Sequence, residues 1–259
     1  MKQFYQYFII CTIQEKNFKG AKENDKTCKK AAEMSVKELA AYIDQSVLKP
    51  EFTEADIRKY IQEGVNFGCA TVCINPASLP IAAELTKGTG TGICVVCDFP
   101  FGLSTTNSKV LQAEEYCKNY KIQDLDIVAN YGWIRSGKWD EVTADIAAVV
   151  EVCHKYSTKV KVIFETDALT IEEIKKACEC AIKAKADFVK TSTGFYTGGE
   201  VRGATPEIIK IMLDTCGDRI KVKGSGCIRT REHFLQLIDM GIDRMGIGYR
   251  STPVVLGVK

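Results

Sequence analysis

The sequence predicts an α/β protein, a single-domain (β/α)8 TIM barrel. Three observations carry that expectation. Eight apolar, β-branched segments recur along the chain, amphipathic segments with helix signals lie between them, and the apolar segments are continuous rather than alternating. A continuous run fits a strand buried on both faces, as in a parallel sheet. Eight βα units in 259 residues favour a closed barrel over an open doubly wound sheet. No G-x-G-x-x-G follows an early strand, which argues against a dinucleotide-binding fold.

The domain is expected to span 34–259, with 1–33 as an extension outside the repeat. Met1–Gln14 is moderately apolar, but Gln3 and Gln6 break it, no small-residue cleavage site follows, and Lys16–Lys30 is polar. A secretory signal is therefore not expected. Strands are expected at Ala41–Leu48, Cys69–Asn75, Gly92–Phe99, Asp124–Asn130, Val160–Thr166, Asp187–Thr193, Arg219–Ser225 and Arg244–Gly248. Thr53 opens the first long helix, with acidic Glu54 and Asp56 in its first turn. Ser108–Tyr120 and Trp139–Tyr156 carry apolar residues at helical spacing. Thr170 with Glu173 forms a capping-box pattern, Thr205-Pro206 puts proline at a first helical position, and Gly241 ends the Thr230–Met240 helix.

Composition narrows the function classes. Lys+Arg number 35 against 33 Asp+Glu, a net charge of +2, which argues against a nucleic-acid footprint or a polybasic membrane anchor. No run of about 18 apolar residues is present, so no membrane span is expected. The twelve cysteines lie mostly in apolar stretches and read as small buried hydrophobes of a reducing, cytoplasmic compartment. Cys94 and Cys97 form a C-x-x-C, but on a strand residues three apart face opposite ways, and no second pair completes a zinc set. No metal and no cofactor are expected.

Chemistry in a barrel sits at the C-terminal ends of the strands. Lys190 falls late in Asp187-Phe188-Val189-Lys190-Thr191-Ser192-Thr193-Gly194, and Lys223 at the matching depth of Ile220-Lys221-Val222-Lys223-Gly224-Ser225-Gly226. A lysine inside an apolar barrel is costly unless paired or solvated. Two on adjacent strands repel: at about 5 Å and an effective dielectric near 20 the repulsion is roughly 3 kcal/mol. Together with desolvation that pushes one of them toward the neutral amine, able to form a Schiff base with a carbonyl. Such an imine is the electron sink that a metal-free aldolase needs. A general acid/base must accompany it. Asp126 in Leu125-Asp126-Ile127-Val128 is the first candidate and Asp44 in Tyr42-Ile43-Asp44-Gln45 the second; Glu165 is a third strand-end carboxylate, open equally to catalysis and to a positioning or charge-balancing role. Gly224-Ser225-Gly226, followed by the helix near Thr230, and Gly246-Ile247-Gly248 offer backbone N–H groups to a phosphate. Gly198-Gly199 and Gly203 line the mouth or shape a loop.

Tyr42–Pro50, Val72-Cys73-Ile74-Asn75-Pro76, Lys161–Thr166, Asp187–Gly194, Lys223–Gly226 and Ile228-Arg229-Thr230 resemble, in order, the motifs of the deoxyribose-phosphate aldolase family of class I aldolases. The resemblance covers residues 36 to 250, and Lys-Thr-Ser-Thr-Gly is its most specific part. It implies a barrel that cleaves 2-deoxyribose 5-phosphate reversibly to glyceraldehyde 3-phosphate and acetaldehyde, without a metal, in deoxynucleoside breakdown. It also implies roles: Lys190 as Schiff-base lysine, Lys223 as its neighbour, Asp126 as proton relay, Asp44 in support, Thr193 on a sugar hydroxyl and Cys73 in the pocket wall. The expected partners are a phosphorylated sugar and acetaldehyde, no nucleic acid, no membrane, and further copies of the chain in a dimer or tetramer. Gly226-Cys227 stands where the family usually has Gly-Gly, Gly246-Ile247-Gly248-Tyr249 replaces its usual phosphate run, and the Gly198–Gly203 loop is longer. Two other readings stay open, a class I aldolase for a different phosphorylated sugar and a non-catalytic sugar-phosphate-binding barrel.

Overall fold

Every one of the eight apolar segments forms a strand, and the strands close in sequence order into a parallel barrel. The structure, a computed structural model, describes residues 29–258. Residues 1–28 of the expected extension 1–33, and with them the reading of Met1–Gln14, lie outside the described residues. Ala31–Glu33 forms a 3-10 turn whose buried Ala31 donates its N–H to Asp239 at 2.9 Å. The elements then run α1 (Val36–Ala40), β1 (Ile43–Val47), α2 (Glu54–Phe67), β2 (Thr71–Ile74), α3 (Leu79–Thr86), β3 (Gly92–Cys97) and α4 (Thr106–Asn119). The second half comprises β4 (Asp124–Val128), α5 (Tyr131–Arg135), α6 (Trp139–Lys155), β5 (Lys159–Ile163), α7 (Ile171–Lys183), β6 (Phe188–Lys190), α8 (Pro206–Cys216), β7 (Lys221–Ser225), α9 (Arg231–Asp239), β8 (Arg244–Gly248) and α10 (Thr252–Leu256).

Local signals set the helix starts. Thr53 with Asp56 and Thr170 with Glu173 form full capping boxes, and Thr205 caps α8 with Pro206 at its first position. The α4 helix begins two residues ahead of the expected Ser108, because the Thr105 hydroxyl accepts the Ser108 N–H and so caps the turn before it. Gly241, at φ 94°, follows α9 in the left-handed conformation that ends a helix.

The strand faces divide the work. Ile43, Val72, Val95, Leu125, Ile127, Val160, Val162, Val189, Val222, Met245 and Ile247 face outward into one large apolar core shared with the helices. The inward faces carry Asp44, Cys73, Cys94, Asp124, Asp126, Lys161, Lys190, Lys223 and Arg244, all but Arg244 at most 3% exposed. A barrel interior is usually filled with branched apolar side chains; this one is filled largely with paired charges.

A second buried charge holds the loop after β3. Lys109 of α4, fully buried, donates to Asp145 of α6 at 2.7 Å and to the Val128 carbonyl at 3.3 Å, and lies 3.7 Å from Asp98. Asp98 in turn accepts from the Ser104 N–H and hydroxyl, closing the loop that carries Phe99. Removing one member of a buried pair leaves an uncompensated charge and costs about 3–5 kcal/mol. Asp145→Ala is expected to lose that much in urea denaturation, and Lys109→Met with Asp145→Leu to recover most of it.

Candidate functional site

Register explains why four strands deliver their charges to one point. Asp126 of β4 pairs with Lys161 of β5, and Lys190 of β6 with Lys223 of β7. Neighbours in register point to the same side of a sheet. The four side chains therefore converge inside the barrel. Both Lys190 Nζ, at 2.7 Å, and Lys223 Nζ, at 2.8 Å, donate to the same Asp126 oxygen, Oδ2. The other oxygen, Oδ1, accepts from Lys161 Nζ at 3.2 Å and from the Cys94 thiol at 3.1 Å.

A lower layer supports this one. Asp44 Oδ2 lies 2.6 Å from Lys223 and 3.4 Å from Lys161, while Asp44 Oδ1 accepts from Arg244 at 2.7 Å and from Thr71 at 2.7 Å. Asp124 is 2.6 Å from Lys161 and 3.6 Å from Arg244. Four cations thus face three carboxylates in one connected cluster. Lys161 contacts all three carboxylates and Lys223 two, but among the described residues Lys190 contacts only Asp126.

The electrostatics follow from those contacts. Burial alone would protonate Asp126 and Asp44, yet the surrounding cations, Lys161 foremost, hold both well below the usual carboxylate range. Burial alone would likewise discharge Lys223 and Lys161, but Asp126 and Asp44 outweigh it and raise both. The repulsion expected between Lys190 and Lys223 is therefore offset by a carboxylate that touches each of them, a partner that spacing along the chain does not reveal.

Above Lys190 opens a cavity of about 280 Å³, lined among others by Leu48, Lys49, Thr193, Ser225, Gly226, Cys227, Arg229, Gly246, Gly248 and Tyr249. Thr193 is fixed by Glu165: its hydroxyl donates to a Glu165 oxygen and accepts the Phe195 N–H at 2.9 Å. Glu165 itself, left-handed at φ 59°, is pushed above the usual carboxylate range by burial. Tyr249 packs on Tyr60 and Phe52 with centroids 3.9 and 5.1 Å apart, which anchors the last turn to α2. Phe99 meets Phe195 edge to face at 5.3 Å over a small apolar cluster of Leu48, Cys73, Cys94 and Val96.

The expected residues thus separate into layers. Lys190, Thr193, Ser225, Gly226, Gly246 and Gly248 line the cavity. Asp126, Lys223, Asp44 and Cys73, also expected at the site, are fully buried and lie outside its lining. Gly224 lies away from the cavity, because a side chain there would meet Ile242 at 2.9 Å and Ala204 at 3.2 Å; it is small to seat the outer layer. Gly203 serves a close backbone approach, with a Cβ falling 2.4 Å from the Gly226 carbonyl. Cys227 takes φ 60°, a conformation in which glycine is at ease. Lys161, Arg244 and Asp124 were not singled out from the sequence. The alternation that separates Lys223 from Val222 would have found Lys161 between Val160 and Val162. Lys49 and Arg229, cations at the cavity wall, had no such signal.

Cys73, Cys94 and Asp126 offer ligand atoms within 4.8 Å of one another. The three ammonium groups around Asp126 oppose a cation there. Cys97, across the strand from Cys94, contacts the Lys109 carbonyl instead. Among the described residues no helix is long and apolar enough to cross a membrane.

Buried lysines meeting at one carboxylate under an open barrel mouth define a lyase of the class I aldolase type. A family model described as DeoC/LacD family aldolase matches residues 38–251. The chain is 44% identical over 213 residues to a deoxyribose-phosphate aldolase of Desulfitobacterium hafniense, covering 82% of this chain and 95% of that one. It is 43% identical to the deoxyribose-phosphate aldolase of Mannheimia succiniciproducens, covering 82% and 92%. Among solved structures, the aldolase QR15 superposes with a TM-score of 0.77 at 36% identity, covering 85% and 95%, and the tetrameric deoxyribose phosphate aldolase of Aeropyrum pernix with 0.77 at 27%, covering 86% and 91%. The chain belongs to the DeoC/LacD family of aldolases.

The charge cluster sets a pH window for stability. Asp44 and Asp126 are depressed in the fold, so their contribution is full above the unfolded value of about 3.9 and is lost as pH falls toward the folded one. Lys161 and Lys223 are raised, so theirs is full below about 10.4 and lost as pH rises toward the folded value. Unfolding free energies from denaturant titration are expected to hold a plateau between those limits and to drop on both sides. Asp44→Asn is expected to lower the plateau by about 3–5 kcal/mol and to flatten the acid limb.

Proposed function

We propose that this chain catalyses the reversible retro-aldol cleavage of 2-deoxy-D-ribose 5-phosphate to D-glyceraldehyde 3-phosphate and acetaldehyde, through a Schiff base on Lys190. The observation that carries the reading is the shared Asp126 oxygen, which holds Lys190 at the floor of the cavity with Lys223 beside it. The names of the relatives support the substrate.

The charge count favours Lys190 as the nucleophile. Three carboxylates match three cations, and Lys190, nearest the cavity and with one carboxylate shared three ways, is the fourth. Phosphate is received at Gly226, Cys227, Gly246 and Gly248, where backbone N–H groups, Arg229 and Lys49 supply positive potential. The aldehyde carbon then faces Lys190. Amine addition gives a carbinolamine, and loss of water gives the protonated imine, which returns a positive charge to the nitrogen that Asp126 already binds. Asp126, through a water, takes the proton of the C3 hydroxyl. The water and Asp126 hold that proton for the enamine carbon, so that none is lost or gained over the step. The C3–C4 bond breaks, its electrons flow into the imine to give an enamine, and glyceraldehyde 3-phosphate leaves. Protonation at the enamine carbon and hydrolysis release acetaldehyde and restore Lys190. Thr193, aimed by Glu165, meets a sugar hydroxyl. The proposal includes a homo-oligomeric state, like that of the tetrameric Aeropyrum pernix relative, and a reducing cytoplasmic setting, supported by free cysteines throughout the described residues.

The decisive experiment incubates the chain with 2-deoxyribose 5-phosphate in excess chelator and measures both aldehydes. Product is expected at an unchanged rate. Borohydride added with substrate is expected to fix mass on Lys190, and full trapping in Lys190→Ala would overturn the assignment. Lys223→Leu, which removes a fixed cation beside the developing charge, is expected to lower kcat about 10²–10³-fold. Acetaldehyde plus glyceraldehyde 3-phosphate yielding no deoxypentose phosphate would point to a different donor, and binding without trapping to a non-catalytic barrel.

A further inference from the structure

Two cysteines sit side by side in the chamber and have no part in the steps above. Cys73 of β2 and Cys94 of β3 are register partners, both on the inward face and both fully buried. Adjacent strands lie about 4.7–4.9 Å apart, inside the roughly 4.4–6.8 Å Cα window of a disulfide. Their sulfur atoms lie within 4.8 Å of each other and of an Asp126 oxygen. Cys94 Sγ is 3.1 Å from Asp126 Oδ1 and 3.5 Å from Lys161 Nζ. The pair packs with Leu48 and Val96 against Phe99 and Phe195. Cys94 beside it, helped by Lys223 and Lys190, holds the Cys73 thiol below its ordinary range against burial and the charge of Asp126, while burial raises Cys94. An attacking thiolate beside a protonated thiol is the division of labour that disulfide formation uses.

We propose that Cys73 and Cys94 are an oxidation site, closing to a reversible disulfide that switches the aldolase off in the presence of peroxide. The Cys73 thiolate attacks a peroxide oxygen, the O–O bond breaks, and the sulfur becomes a sulfenic acid as the second oxygen leaves as water. Cys94 then displaces the sulfenic hydroxyl as a second water and forms the S–S bond. Two thiols lose two electrons, and one hydrogen peroxide gains them. A dithiol reductant reverses the change by thiol–disulfide exchange. Closure draws the sulfurs to about 2.05 Å, takes the thiol proton from Cys94 and pulls its sulfur away from Asp126. The carboxylate that aligns Lys190 and Lys223 thereby loses both of its thiol partners, Cys94 at 3.1 Å and Cys73 at 4.0 Å.

The proposal rests on the aldolase reading only for its activity readout; the cross-link itself is read by mass. The whole chain is treated with hydrogen peroxide, alkylated, digested and analysed for linked peptides, with deoxyribose 5-phosphate cleavage followed in parallel. A peptide joining Cys73 to Cys94 is expected, with at least a tenfold loss of cleavage that dithiothreitol restores. Cys94→Ala and Cys73→Ala, each compared with its own untreated activity, are expected to lack the link and the restorable part of the loss. A chain without that link, a linked chain of undiminished activity, or a restorable loss that persists in Cys94→Ala would overturn the proposal. Linkage of Cys117 to Cys153, whose sulfurs are 4.0 Å apart between α4 and α6, in place of the chamber pair would overturn it as well.

Discussion

One carboxylate organises the molecule. Asp126 receives three ammonium groups and two thiols on its two oxygens, and every other charge in the barrel is placed by what those partners need next. A lysine moved from water into an interior of low dielectric forfeits several kcal/mol unless an anion meets it. Asp44 and Asp124 fill that requirement for Lys223, Lys161 and Arg244. The result is a column of alternating charge inside the barrel, in which each ion pair holds the next. The reactive end of the column is the one where cations outnumber carboxylates.

Rigidity at that end comes from the loops as much as from the strands. The β6 exit is tied to β5 through Glu165 and Thr193, and to β7 through the close approach of Gly203 to Gly226. The β3 exit is tied to α6 by the Lys109–Asp145 pair. The β8 exit is tied to α2 by Tyr249 on Tyr60. Each tie uses a different interaction, and together they hold the β3, β6 and β8 exits in place.

The fold was legible because the alternation of apolar runs with capped helices is a local signal, repeated eight times. Thr53, Thr170 and Thr205 cap the helices they were expected to cap, since a cap needs only residues three apart. The lysines were legible for the same reason, as charges out of place in apolar strands. What could not be read was pairing across the barrel. Lys190 and Asp126 are 64 positions apart, Lys223 and Asp126 97, and Arg244 and Asp44 200. A sequence argument that sees two cations but not the anion between them counts repulsion and misses attraction. Gly224 shows the converse: a glycine beside a phosphate turn reads as part of it, and only the packed outer layer reveals Ile242 and Ala204 as the reason for its size.

The division of each strand between an oily outer side and an ionic inner side has a consequence for how such a protein changes over time. The residues that drive collapse and those that perform chemistry are different residues, interleaved along the same strands. Selection can therefore revise the inner set for a new substrate while the outer set goes on specifying the same architecture, provided that each exchange keeps the tally of positive and negative groups intact. The mutational freedom of this scaffold is limited by the pairing of charges rather than by volume.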